Sequence, residues 1–256
     1  MSNVGIERYP RRGNPAAWLA LVVGVAAAAM LALTGPGVRF GWWHHRVSFD
    51  LMKYGAYLGI AAMVLALLAI AIGRRRGVLV AVLALLLGGT AFFLPWKWRQ
   101  GAKGFPGIHD ITTDTGNPPA FVAIVPLRKD ATNKTEYEGD SVAAVQRRHY
   151  PDIQPLMMAM PRDSAFSLAV RAAREMGWEM VDQDRAQGRI EATARTKWFG
   201  FKDDVVIRVM PASGITRVDV RSVSRVGRGD VGENAKRIRE YLGRLRALDP
   251  APVEAG

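Results

Sequence analysis

"TRVDVRSVSRVGRGDVGENAKRIREYLGRLRAL", residues 216–248, changes its hydrophobic period partway along, and that change decides the fold. In the first part Val218 and Val220 oppose Arg217, Asp219 and Arg221, the alternation of a strand with one apolar face. From Asp230 the spacing lengthens. Val231, Ala235, Ile238, Leu242, Leu245 and Leu248 recur by threes and fours, which predicts a helix from Asp230 to about Leu248. Asp230 with Glu233 three residues on is a capping-box arrangement for its start.

Upstream, the same alternation recurs. In "GRIEATARTKW" (188–198) Ile190, Ala192 and Ala194 oppose Arg189, Glu191, Thr193, Arg195 and Lys197. In "DVVIRV" (204–209) Val205, Ile207 and Val209 oppose Val206 and Arg208. The turns fall at Lys202-Asp203 and Ser213-Gly214, and a strand around "WEMVDQD" (178–184) precedes them. A helix capped by Asp163 or Ser164 runs through Met176. It has Phe166, Ala169, Val170 and Ala173 on one face and Gly177 in the left-handed position after it. These elements predict an α+β domain: an antiparallel sheet of about four strands, one face covered by two helices and the other wet.

The front of the chain is different in kind. Residues 1–95 carry nine Lys/Arg against two acids, and the rest carries 26 against 21. Residues 16–34, "AAWLALVVGVAAAAMLALT", contain no charge and would reach ~28 Å as a helix, close to the hydrocarbon thickness of a bilayer. Residues 55–73 and 77–95 repeat the pattern. The first run follows the basic "RYPRR", as a signal peptide would, but it is too long for one and no clean A-x-A site follows. We read three transmembrane helices in an α-helical membrane anchor, residues 1–98, followed by an extracytoplasmic domain, residues 99–256. Arg74, Arg75 and Arg76 between the second and third spans resist translocation. With Arg8, Arg11 and Arg12 they put the N-terminus in the cytoplasm, and three crossings put the following domain on the far side. The loop "RFGWWHHRVSF" (39–49) suits the headgroup layer, and Trp96 and Trp98 form a belt after the third span.

No span contains Asp, Glu, Lys, Arg, His, Asn or Gln, which argues against a transporter or proton relay. Gly55 and Gly59 form a G-x-x-x-G pair that would let a neighbouring helix approach. In spans this rich in Gly and Ala we read the spacing as chance. The basic balance comes largely from arginines flanking apolar runs, so it marks topology and not nucleic-acid binding. With no Cys, disulfides and thiolate chemistry are excluded.

Beyond the anchor, residues 99–136 read as an extended arm with a short strand inside "AFVAIVPL" (120–127). Asp140 caps a short helix, "SVAAVQRRH", and "YPDIQPLMMAMP" (150–161) is extended.

Two stretches are candidate sites. "GIHDITTDTGNPPAF" (107–121) brings His109, Asp110 and Asp114 together as acid–base or metal-binding candidates. Zinc or iron would want more His or Cys, and calcium a glycine-centred run of oxygens, so no metal or cofactor is expected. The alternative is a structural loop, with Asp and Thr bonded to nearby amides and Pro118-Pro119 stiffening the exit. In the second stretch Arg221, Arg225 and Arg228 lie near a glycine-containing loop that opens onto a helix, a candidate site for an anion or lipid headgroup. Asp230 argues against it if it already occupies the helix amides. Arg221 and Arg225 would then pair with acids such as Asp203, Asp204 or Asp219. Phe199 and Phe201, in "KWFGFKDD", are taken to flank a turn. G-x-S-x-G, Walker and H-E-x-x-H motifs are missing.

"IHDITTDTGNPP", "YPDIQPL", "DDVVIRV" and above all "VDVRSVSRVGRGDVGENAKRI", in this order, resemble the domain-of-unknown-function family 1499 over about residues 105–248. The resemblance implies a bacterial envelope or organelle-lumen protein, with no activity to carry over. The expectation is therefore a non-enzymatic bacterial inner-membrane protein whose periplasmic domain binds a protein partner or an envelope ligand. The rivals are an envelope enzyme using His109 with Asp110 or Asp114, and an anion or lipid sensor at Arg221, Arg225 and Arg228.

Overall fold

The computed structural model describes residues 14–73 and 77–249, and the chain divides into two compact units, residues 1–103 and 104–256. The arginines on which the orientation rests, Arg8, Arg11, Arg12, Arg74, Arg75 and Arg76, lie outside the described residues.

The first unit is three helices, α1 (Pro15–Arg39), α2 (His45–Gly73) and α3 (Val78–Ala102), each long and apolar enough to cross a membrane. All three outrun the uncharged spans that mark them. Pro36 and Pro95 lie inside α1 and α3, so α3 continues through Trp96 and Trp98 and takes in residues 99–102. Asn14 caps α1 by accepting from the amides of Ala16 and Ala17, and its side-chain amide donates to the Ala69 carbonyl of α2 at 2.9 Å. Only 22–28% of each apolar window is buried within the unit, as suits helices of a length and composition that could cross a membrane.

Small residues set the helix contacts. A Cβ on Gly59 would lie 2.5 Å from the Gly88 carbonyl oxygen, and one on Gly88 would lie 2.6 Å from that of Gly59. Gly55 faces α1, where a Cβ would meet the Ala27 carbonyl at 3.4 Å. The G-x-x-x-G spacing is thus used twice, once against each neighbouring helix, which corrects its reading as chance. At the other end, Trp43 covers Gly37 and its indole N–H donates to Ser48 Oγ, which donates to the Thr34 carbonyl at 2.5 Å.

The second unit is an α+β fold. Its elements are β1 (Asp110–Thr112), a 3₁₀ turn (Val125–Leu127), α4 (Asp140–His149), β2 (Leu156–Met158), α5 (Arg162–Glu175), β3 (Glu179–Asp184), β4 (Arg189–Arg195), β5 (Lys202–Ala212), β6 (Ile215–Ser224) and α6 (Glu233–Leu248). The sheet is antiparallel in the order β1-β6-β5-β4-β3, with β2 also on β6. It has six strands, two more than the alternation predicts. β1 pairs with residues 221–223 and β2 with 216–218, so the two lie end to end along the edge of β6 opposite β5. Ser213 and Gly214, both at positive φ, close the β5–β6 hairpin, with Ala212 opposite Ile215.

On one face Ile190, Val205, Ile207, Val209, Val218 and Val220 pack under Phe166 and Ala169 of α5 and Ile238 and Leu245 of α6. Trp178 stacks on Tyr241, ring centroids 5.2 Å apart. The opposite face is not wet. Glu191, Asp204, Val206, Asp219 and Arg221 are buried there, because the arm folds back over them.

Helix boundaries also differ from expectation. α4 starts one residue early, with Asp140 in its first turn, and α5 starts at Arg162 after Pro161. α6 starts at Glu233, so Val231 is off its stripe: exposed, with φ +53°.

Candidate functional site

The face beneath the arm contains most of the residues that the sequence singles out. Because strands alternate, the partners of the apolar face lie in rows on this one. Thr193, Asp204 and Val223 form one row, Glu191, Val206 and Arg221 the next, and Arg189, Arg208 and Asp219 the third.

Arg221, buried in β6, joins the two candidate sites into one. Its Nε and Nη2 donate to the two carboxylate oxygens of Asp110 at 2.9 and 2.6 Å. The same guanidinium donates to the carbonyls of Pro119 and Thr135 and lies over the rings of Phe121 and Tyr137, 5.3 and 5.4 Å from their centroids. Its charge is paired and four hydrogen bonds from it are made within the fold. Burial raises the Asp110 carboxyl above its ordinary range, against the pull of Arg221. Burial, with the Asp110 charge nearby, pushes the Tyr137 phenol up to about 12.

Asp204, fully buried in β5, holds a second group. Arg225 donates to both of its oxygens at 2.9 and 2.8 Å, Arg128 of the arm donates to Oδ2, and Thr193 Oγ1 donates to Oδ1 at 2.8 Å. Burial lowers the affinity of Arg128 for its proton, and Asp204 opposes that. Arg225 also donates to the Leu127 carbonyl at 2.9 Å.

Asp114 belongs to a third group. One oxygen accepts the amides of Gly116 and Asn117, and the other accepts Arg208 and Arg217 at 3.0 and 2.8 Å, both of which also pair with buried Asp219. The turn chemistry that Asp and Thr imply is present, and it serves to bolt the loop to the sheet.

Glu191 explains why "AFVAIVPL" is not a strand. Its carboxylate accepts the amides of Val122, Ala123 and Ile124 at 2.8, 3.2 and 2.8 Å, so those donors are turned inward and cannot form a ladder. The chain then closes into the 3₁₀ turn, with Ile124 packed on Val206 and Val223.

His109 is mostly buried, with Nε2 3.9 Å from Glu138 Oε1. Its carbonyl accepts the Ser224 amide and the Asn234 side chain. Asn234 also bridges Ser222 and Ser224, while Arg237 pairs with Asp203 at 2.5 Å. Asp230 accepts the amides of Gly232 and Asn234 at 2.9 and 2.7 Å, so a carboxylate does occupy the start of α6, and burial raises its proton affinity. Of the three arginines in the candidate anion site, Arg228 alone stays exposed.

The structure thus brings Asp110 and Arg221 together and sends Asp114 and Arg225 to separate partners. Among the described residues no three His, Asp or Glu side chains gather as a metal cluster. Glu191 and Arg128, which help tie the arm down, were missed in the sequence reading, whereas the pairing of Arg225 with Asp204 is one of those it named. The only local trace they leave is that the outward positions of β4–β6 mix Arg with Asp and Glu.

No curated protein matches the chain. The family profile described as "Protein of unknown function (DUF1499)" matches residues 110–245, more than half of the chain and nearly all of the arm-and-sheet domain. With β1, the arm, the sheet and most of α6 inside the matched region, the protein belongs to the DUF1499 family.

Proposed function

We propose that this is a multi-pass bacterial inner-membrane protein with a cytoplasmic N-terminus, whose second domain lies in the periplasm and binds a protein partner or an envelope ligand without catalysing a reaction. Three apolar helices support the membrane part, and the arginines flanking them support the orientation. The observation that carries the binding reading is the engagement of Asp110, Asp114, Arg221 and Arg225 inside the fold. Each is occupied by partners that hold the arm on the sheet, which leaves His109 without a free carboxylate from Asp110 or Asp114.

The test is crosslinked co-purification of the full chain from native membranes, with mass spectrometry for proteins and lipids. A reproducible set of partners is expected, and a partner-free particle contradicts the proposal. His109→Ala separates the rival. The enzyme reading requires loss of an activity with the fold intact, and the binding reading requires no such loss.

A further inference from the structure

One end of the domain pairs exposed apolar side chains with cations. The 3₁₀ turn presents Val125 and Leu127, 47% and 55% exposed, although side chains of this type usually pack inward. Trp198, 44% exposed, projects from the β4–β5 connection. Hydrogen bonds place the two segments at the same end of the sheet. Arg225 donates from its guanidinium to the Leu127 carbonyl and from its backbone amide to the Lys202 carbonyl, where β5 begins. The next stretch of the arm is held at this end too, because the amides of Thr132 and Asn133 donate to the Arg225 carbonyl. The Asn133 side chain donates to the carbonyls of Ser224 and Gly227.

That arrangement puts Lys129, Lys134 and Arg228, all exposed, on segments at the same end of the sheet as the apolar ridge. Within residues 127–134 Asp130 is the one acid. Aliphatic and indole groups with cations at the same end match a bilayer surface, where the apolar groups enter the headgroup–acyl boundary and the cations meet phosphate. The chain supplies the proximity. Seven residues, 103–109, connect α3 to β1, so the domain is tethered within ~25 Å of the end of a helix long enough to cross a membrane.

We infer that the ridge of Val125, Leu127 and Trp198, with Lys129, Lys134 and Arg228, docks the domain on an anionic lipid surface. This deepens the binding reading above by naming its ligand class, and it rests on that reading for the membrane anchor alone. Tethering makes the contact effectively intramolecular, so a ridge of modest area is sufficient.

The test uses the full chain, which has no native cysteine. Leu127→Cys, and Ser167→Cys on the exposed side of α5 as a control, each carry a polarity-sensitive fluorophore. The proteins are placed in nanodiscs of phosphatidylcholine alone or with phosphatidylglycerol. The expected result is a blue shift and shielding from a water-soluble quencher at position 127, in the anionic discs and not at position 167. Each of Lys129→Glu, Lys134→Glu and Arg228→Glu should lower the docked-to-undocked ratio by about fivefold or more. Equal quenching of positions 127 and 167 in both discs would overturn the inference, as would shielding that is indifferent to lipid charge. Shielding that appears only when a protein fraction from native membranes is added would overturn it in favour of a protein contact. None of these readings depends on which compartment the domain occupies, so a failed orientation and a failed docking surface are distinguishable.

Discussion

On the helix side of the sheet, Val205, Ile207, Val218 and Val220 meet Phe166, Ile238 and Leu245. On the arm side, one residue away along the same strands, Asp204, Val206, Asp219 and Arg221 meet Arg128, Arg208, Asp110 and the Phe121 ring. Both sides exclude water, but for different reasons. Each large aliphatic side chain buried on the helix side stabilises the fold by about 1.5–3 kcal/mol, with little demand on orientation. Each intact ion pair on the arm side contributes little net, because desolvation offsets attraction, yet removing one partner leaves a buried charge alone. The difference teaches that burial alone does not say how a face will respond to mutation. It also means that an arginine which looks available in sequence can be the least available group in the domain.

Four variants break or sharpen that comparison. Asp204→Ala should cost the most, about 3–5 kcal/mol, since it strands Arg128 and Arg225 together. Hydrogen exchange of β4–β6 amides in the full chain would read it, and protection within a few-fold of wild type would break the contrast. Ile207→Ala on the opposite face should cost about 3 kcal/mol by the same measurement, without sensitivity to salt. Asp230→Ala should cost about 1–2 kcal/mol and show as fraying of the α6 amides from Gly232 to Lys236, leaving the sheet protected.

The smallest effect belongs to the surface. Asp152 and Arg239 form a largely exposed pair, which screening limits to below about 1 kcal/mol. The hydrogen bond from Arg239 lowers the Asp152 carboxyl from its ordinary 3.8. Its contribution is therefore present above that value and is lost as pH falls through the folded one. Asp152→Asn should flatten that part of the acid limb. Asp110 and Asp230 have the opposite sign. Burial raises both, so the folded chain holds their protons more tightly, and that contribution is full at low pH and lost as pH rises through their folded values. Carboxyl resonances followed by NMR should move apart accordingly, with Asp152 titrating below Asp110.

Where the sequence has a long signal, it was legible. Uncharged runs of nineteen residues mark the three helices of the anchor, and period-two alternation marks β4, β5 and β6 down to which residues face α5 and α6. β1 and β2 were not legible, since three residues show no period. Nor was the arm side. Arg221 and Asp110 are 111 positions apart, and a pairing over that distance leaves no local pattern in either segment. Outward Arg and Asp on a half-buried strand read as solvated, and they are buried only because the arm returns to cover them. The helix spacing placed Val231 on α6, but its positive φ puts the turn before the helix, a choice made by the Asp230 cap and Gly232. Gly55 and Gly59 looked like chance in a Gly- and Ala-rich span and turned out to be contact points, because spacing alone does not say which neighbour a glycine faces.

Arg221 holds the arm to the sheet through Asp110, Pro119 and Thr135. Hydrogen exchange of the Arg221→Ala protein, full length and in nanodiscs, tests this most directly. Protection at residues 110–112 and 221–223 is expected to fall by more than about a hundredfold as Asp110 loses its counter-charge. Protection equal to wild type in both segments would mean that Arg221 is not needed to hold the fold, and would return it to the list of candidate ligand-binding residues.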